Sequence, residues 1–537
     1  MTAPRWLRSA WVLLLATTVC RAAGLIFDVL NIDEVDFALI GRSVAEGHLP
    51  YAQLVDIKPP LTYAAFAPAA LFGHLSLLPM HVLGIFLTAG TALILGRAAL
   101  RFTGDALASA AAPWLYLLST LCDVPSVNAE LLLNLPTAAG LLCFVSAERG
   151  AAVQRPRSGE AAPGLHEPTR PLLYDLLAGG CFGLASLFKH QGGMPLASLG
   201  LVLLVRAVRE RKLRPILRGA VMTLGLLLPW ALTFAVYAQS GHLSELLDWC
   251  FARNFGYVGR AGAADPALPR FLISTAICVG GTLAVWVLAF QESILSLRPH
   301  AVVESPNLAA ARPLRNALVA ALWLTWVPVA MGGRFYEHYY LQFAPFLALA
   351  AAPGAAALLA SWSGPARSAR SRLAWAIVVL VPALAGCGFS LVKGLAGGYQ
   401  AQDPKLREVA RFLRDQTRPD ETLFVWGHTS PLYYLADRRP GTRYFHCSVH
   451  VGNFDPGHLP DGFDPRQHVS ERDVAATLQD LEANRVAIVA DLAPSKIHHW
   501  DKLPLAAVPA LEAYVQAHYE AIGSPAGARV YRRRAGR

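Results

Sequence analysis

Charge is scarce in this chain. Asp, Glu, Lys and Arg make up 16% of the 537 residues, 54% are hydrophobic, and mean hydropathy is +0.38. A soluble domain is about 25% charged, so this composition excludes a wholly soluble protein and a disordered one. Cysteine is present but unpatterned. Cys20, Cys143, Cys181, Cys278 and Cys387 lie in apolar segments, Cys122 and Cys250 near segment ends, and Cys447 alone in the C-terminal part. None has metal-ligand spacing, and all read as small buried hydrophobes. A glycine-rich phosphate loop is missing, and so is any repeat beyond general hydrophobicity. The net charge of +10 does not point to nucleic acid, because most of the surplus sits in short loops, where it sets topology.

What is there instead is a series of apolar runs. They recur from residue 9 to residue 393, and each needs about 20 residues to cross a bilayer. The basic clusters orient them: Arg5/Arg8, Arg97/Arg101, Arg149/Arg155/Arg157/Arg170, Arg206 to Arg218, Arg298/Arg312/Arg315 and Arg367/Arg370/Arg372 are assigned to the cytoplasm. Spans at 9–28, 79–97, 106–122, 130–147, 171–188, 194–209, 219–238, 269–290, 316–332, 339–360 and 373–393 satisfy the alternation, about eleven in all, with the C-terminus outside. The N-terminus resembles a signal peptide, but Arg21 follows Cys20 where a small-residue cleavage site would stand, so it reads as an uncleaved first span. Residues 61–73 are short and contain Pro68, and read as an interfacial or re-entrant helix of the first outer loop.

The expected domains are therefore a membrane domain, 1–393, and an extracytoplasmic soluble α/β domain, 394–537. In the latter, helices are expected at 406–413, 471–483 and 507–519, and strands at 423–426, 486–489 and 528–532, in a partly parallel sheet. Its eight histidines are scattered and read as surface or loop residues rather than metal ligands.

Four polar elements fall on the outer face under this topology, although only the cytoplasmic charges set the alternation. The first is Asn31-Ile-Asp-Glu-Val-Asp36, with Pro50-Tyr51 and Asp56-Ile-Lys-Pro-Pro-Leu61. Asn31 and Glu34 fit a capping box opening a helix that closes at Gly47; Asp33 has no such duty. Pro59 and Pro60 hold Lys58 on an extended backbone. The second is Asp123 with Asn128-Ala-Glu130, an acid at the mouth of an apolar helix. The third is Lys189-His-Gln-Gly-Gly193, whose diglycine would admit a ligand close to the backbone. The fourth is Gly332-Gly-Arg334-Phe-Tyr-Glu-His338-Tyr-Tyr340. Acids and cations together suit transfer from a phosphate leaving group, with an acid taking the acceptor's proton and cations holding the phosphate. Arg21, inside the first span, is expected to reach the outer interface or pair with an acid of this site.

The combination Asp33-Glu34, Pro50-Tyr51, Lys58-Pro-Pro-Leu61, Glu130, Gly183-Leu-Ala…Lys189 and His338-Tyr339 resembles the motifs of GT-C-fold glycosyltransferases. The branch it resembles comprises bacterial relatives of protein O-mannosyltransferases and the lipid A aminoarabinose transferase. Val409-Ala-Arg-Phe-Leu413, Val425-Trp-Gly427 and Tyr433-Tyr-Leu-Ala-Asp-Arg-Arg439 are similar to the tails of such proteins. The resemblance implies a multi-pass enzyme of the plasma (inner) membrane. It would move a sugar from a polyprenyl-phosphate donor to a cell-envelope acceptor (lipid, glycan or protein) on the outer face. It implies Asp33 as base with Glu34 and Glu130 as companion acids, and Lys58 and Lys189 on the donor phosphate; Arg334 and His338, from their chemistry in the fourth element, are added as donor-phosphate ligands. No full Asp-x-Asp motif stands in the first loop, which leaves a divalent metal cofactor open. A transporter or flippase for a lipid-linked anion is the competing class, but transporters place ionisable groups near the midplane and are built from repeats. An inactive scaffold whose C-terminal domain binds glycans is the third.

The topology is tested by a single cysteine introduced in the tail with Cys447→Ala, after the native membrane cysteines are checked to be unreactive. A membrane-impermeant thiol reagent is expected to label it in right-side-out vesicles. Labelling only after lysis would reverse the tail.

Overall fold

The computed structural model describes residues 4–153, 170–254, 267–297, 312–362, 369–452, 454 and 456–535. Arg155, Arg157, Arg298 and Arg367, assigned above to cytoplasmic loops, lie outside the described residues. The chain divides into two compact units: Met1–Ala22, Val82–Gln239 and Pro269–Ser390 form one, and Ala23–His81, Ser240–Leu268 and Leu391–Arg537 the other.

The first unit is helical. Each of the eleven segments expected to span contains a described helix. Among the described residues seven helices are long and apolar enough to cross a membrane. An eighth is a bent pair, Ala267–Gly281 with Leu283–Leu297, which turns by 93°. The break falls directly after Gly280-Gly281, where helix propensity is lowest. Helices Arg170–Phe188 and Arg214–Gln239 pack backbone to backbone. A Cβ on Gly179 would lie 1.9 Å from the Met222 oxygen, and one on Gly183 would lie 2.5 Å from that of Leu226. Small residues four apart permit such contact where lipid supplies no hydrophobic drive. Gly183, quoted above within a motif, thus has a packing duty.

The same unit buries a charge cluster. The Arg218 guanidinium donates to Asp175 at 2.7 and 2.9 Å and also to Glu148, which accepts from Arg206 at 2.9 Å. Asp175 and Arg218 are buried. Arg21, also buried, donates to the carbonyls of Pro125 and Ser126 at 2.8 and 3.1 Å.

In the second unit residues 61–73 form a six-residue helix, Pro60–Ala65, and a 3-10 turn, Ala67–Ala70, too short to span. The C-terminal part carries one sheet: β1 Thr422–Trp426, β2 Arg439–Pro440, β3 Ile488–Asp491, β4 Tyr519–Gly523 and β5 Arg529–Arg533, in the order β2-β1-β3-β5-β4. β1 runs parallel to β2 and β3, while β5 is antiparallel to β3 and β4. The apolar runs Leu423–Trp426 and Ile488–Ala490 are buried, as expected of central parallel strands. Helices Pro404–Asp415, Glu471–Ala483 and Pro509–His518 match the expected three within three residues. Sequence reading missed β2 and β4, a two-residue strand and a strand that alternates weakly. Ser470 caps the second helix by accepting from Asp473 N at 3.4 Å.

Exposed Ala510 on the last helix provides the tail labelling position. For the charge cluster, Arg218→Met strands Asp175 and half-frees Glu148 in a buried setting. Breaking such a pair costs about 3–5 kcal/mol. The variant is expected to lose yield and melting temperature in detergent, and Asp175→Asn with Arg218→Met to recover part of both. Equal stability of wild type and Arg218→Met would show the cluster to be dispensable.

Candidate active site

The seven residues singled out in the sequence divide between the units. Asp33, Glu34 and Lys58 lie in the unit that carries the sheet; Glu130, Lys189, Arg334 and His338 lie in the helical unit.

Asp33 and Glu34 open the helix Ile32–Ala45, and the expected capping box is present. Asn31 Oδ1 accepts from Asp33 N at 3.0 Å, and Glu34 Oε2 accepts from the backbone of Asn31 and Leu30 at 3.2 and 3.1 Å. The helix closes at Glu46, with Gly47 just beyond it at φ +93°. Glu34 is fully buried, and its other oxygen lies 3.0 Å from His81 Nε2. Both oxygens are therefore engaged in holding the helix. Asp33 is half-buried, and its carboxylate has no hydrogen-bond or ion-pair partner among the described residues. Adjacent in the chain, the two acids thus sit in opposite circumstances.

Asp36 stands one turn further on, and the sequence reading gave it no role. It is buried, and its Oδ2 lies 3.1 Å from Nε2 of His428, just past the end of β1. Its Oδ1 has no partner among the described residues. Burial raises the Asp36 carboxyl above the ordinary range, and attraction to His428 offsets this only in part. Burial pulls His428 down, but Asp36, with Asp33 and Asp56 behind it, leaves its pKa raised. The His446 ring stacks on His428 at 4.1 Å, and burial with His428 nearby drives its pKa well below the ordinary value. His450 is buried too, 2.6 Å from Thr477 Oγ1. All three lie in loops, as expected, but His446 and His450 are buried rather than on the surface, and His428 is half-buried. His428 is 392 residues from Asp36, and no local pattern could have joined them.

Lys58 is placed by a tyrosine clasp. The Tyr51 hydroxyl donates to the Lys58 carbonyl. Tyr63 accepts from Lys58 N at 2.8 Å and donates to Asp56 Oδ2 at 3.0 Å. Tyr51 is held at φ 72°, strained for a non-glycine residue, and Pro59 is extended at ψ 153°. This anchored backbone is the reason for the Pro50-Tyr51 and Asp56–Leu61 pattern.

In the helical unit Glu130 and Lys189 meet. Glu130 sits in the first turn of Ala129–Val153 and accepts a hydrogen bond from the Lys189 ammonium; both are buried. Lys189 also lies 3.7 Å from the centre of the Tyr339 ring. His338 packs edge to face on Tyr339 at 4.9 Å and stacks on Tyr336 at 5.6 Å. Arg334 follows Gly332 and Gly333, both at positive φ, and its carbonyl accepts from Arg270 at 3.4 Å. Its role was expected from charge alone, and it is only partly exposed. The diglycine reading is corrected in one respect. A Cβ on Gly192 would lie 2.4 Å from Ala185 C and O, so its bare face is filled by the protein's own backbone.

Among the described residues no three His, Cys, Asp or Glu side chains are grouped to hold a metal ion.

No protein-family model matches this sequence, and no curated protein matches it. Solved structures do. One is ArnT from Cupriavidus metallidurans bound to undecaprenyl phosphate, at 15% identity and TM-score 0.59, covering 98% of each chain. Another is the archaeal oligosaccharyltransferase AglB from Archaeoglobus fulgidus, in complex with an inhibitory peptide and a dolichol-phosphate. It aligns at 13% identity and TM-score 0.51, over 99% of this chain and 74% of that one. Both have the GT-C fold. This chain has the GT-C fold as well. The likeness to ArnT spans the whole chain, helices and C-terminal sheet together, and the fold expected from the motifs is present.

The Asp36–His428 contact carries a pH dependence with a defined sign. His428 is raised, so its contribution is complete below an unfolded value of about 6.5 and is lost as pH climbs through the higher folded value. Asp36, also raised, acts in the same direction. The wild-type melting temperature is expected to fall as pH rises above about 6.5, and that of His428→Gln to fall less. Parallel curves would disconnect the pair from that slope.

Proposed function

We propose that this protein is an integral membrane glycosyltransferase that moves a sugar from a polyprenyl-phosphate carrier to a cell-envelope acceptor on the outer face of the membrane. The observation that carries the reading is the GT-C fold shared over 98% of the chain with ArnT bound to undecaprenyl phosphate. It is supported by Asp33, an acid at the head of a capped helix whose carboxylate has no partner among the described residues. In the proposed reaction an acceptor hydroxyl or amine attacks the anomeric carbon, and the bond from that carbon to the phosphate oxygen breaks. The phosphate leaves with the bonding electrons, and the acceptor's proton passes to Asp33.

Glu34 is a positioning residue in this scheme. Its two oxygens hold the helix start and His81, which fixes where Asp33 stands. We assign donor-phosphate contacts to Lys58 in the sheet-bearing unit and to Lys189, Arg334 and His338 in the helical unit. Glu130 orients Lys189 and gives it a counter-charge in an apolar setting. Positive groups stabilise the charge that develops on a departing phosphate. Sugar and acceptor follow from glycan analysis of a deletion strain, where the missing unit names both.

The test is turnover of a purified polyprenyl-phosphate sugar. Asp33→Asn is expected to lower the rate by about 10²- to 10⁴-fold, the usual loss with a general base, while donor binding and melting temperature stay close to wild type. Near-normal turnover in Asp33→Asn would remove the base assignment.

A further inference from the structure

The sheet-bearing unit contains a second polar feature, a cavity of about 460 Å³. It falls in the range of small-ligand sites. Its wall combines the C-terminal half of the helix Ile32–Ala45, the segment around Trp249, and the loop after β2. Five arginines line it against three carboxylates. The arginines are held in place rather than loose. Glu46 accepts from Arg439 at 2.6 and 3.0 Å and lies 3.4 Å from Arg42 Nε, and Asp480 accepts from Arg443 at 2.8 and 2.9 Å. Arg472 commits Nη2 to Asp248 at 2.9 Å.

A guanidinium presents five N–H donors in a fixed fork. Arg42 and Arg472 each engage one nitrogen in a described ion pair, which leaves the rest of each fork for a ligand. Buried aromatic rings support these donors from below: the Trp249 and Tyr444 rings are 5.9 Å apart, and Arg253 lies 3.8 Å over Trp249. Fixed guanidinium forks suit carboxylate or phosphate, and so favour a ligand that carries acid groups over a neutral one; that the ligand is a saccharide follows from the glycosyltransferase reading.

The placement adds to this. Arg42 and Ser43 line the cavity on the same helix that presents Asp33 at its start. Nine residues of α-helix separate Asp33 from Arg42, about 14 Å, a distance that a few linked sugars span. Asp36 and Ser43, seven apart, share one stripe of the helix. We propose that this cavity is an acceptor subsite that binds a carboxylate- or phosphate-bearing saccharide, remote from the reacting hydroxyl. The acceptor role and the saccharide rest on the glycosyltransferase reading; the binding of an anion does not.

The test is equilibrium binding to the full-length protein in detergent, read by Trp fluorescence and calorimetry without any donor. The probes are trigalacturonate, trehalose 6-phosphate and, as a neutral control of similar size, maltotriose. At least one anionic probe is expected to bind about tenfold or more tighter than maltotriose, to weaken with added salt, and to lose about tenfold in Arg42→Gln with Arg472→Gln. Which anion binds names the acid group. Equal binding of all three probes, or none, overturns the proposal, and this comparison needs only wild-type protein. A protein that selects the anionic probe yet turns over no lipid donor faults the transfer reading alone. One that transfers sugar yet does not select faults the cavity alone.

Discussion

A carboxylate taken out of water needs a hydrogen-bond donor or a cation, and this requirement organises the described polar interior. Glu34 meets His81, Asp36 meets His428, Glu130 meets Lys189, Asp175 meets Arg218, and Asp473 meets Arg253. An isolated charge would cost several kcal/mol or neutralise itself, and in a chain with so few charges each such pair ties together segments far apart in sequence. Against that background Asp33 stands out. It is half-buried, at the start of a capped helix, with no partner for its carboxylate among the described residues. An acid left unpaired while its neighbour is doubly held is suited to take a proton.

The pairings also change what the lysine at the end of the helix Arg170–Phe188 means. A lone lysine in that position reads as a free phosphate ligand. Held by Glu130 and seated on Tyr339, it is a side chain whose position is set in advance. Electrostatic stabilisation of a leaving group works best from such fixed charges, because nothing has to reorganise as the bond breaks. Likewise Lys58 owes its backbone placement to two tyrosines and two prolines rather than to its own contacts.

The C-terminal part was expected to be a separate soluble α/β domain, 394–537. The compact unit that holds the sheet also takes in Ala23–His81 and Ser240–Leu268. His428, just beyond the central strand β1, lies against Asp36 of the helix Ile32–Ala45. Arg253 reaches Asp473, and Arg439 reaches Glu46. Loops between apolar segments and the tail thus fold around shared ion pairs, and the helix bearing Asp33 is braced by residues that come after it in the chain.

The sequence by itself determined the features that depend on neighbours along the chain. Apolar runs long enough for helices, the capping box at Asn31 and Glu34, the extended Lys58-Pro-Pro box, and the core strands Leu423–Trp426 and Val486–Val489, the latter displaced to Ile488–Asp491, were legible because propensity, capping and hydrophobic periodicity act within a few residues. Tertiary structure alone decided which charges pair. Glu34 read as a capping acid, but the contact of its second oxygen with His81 could not be read; His428 read as a loop histidine without its Asp36 partner; and Gly192 looked like a ligand door until Ala185 filled it. The physical reason is that an ion pair or a close backbone approach depends on two segments meeting in space, and sequence spacing carries no record of a meeting across 47 or 392 residues.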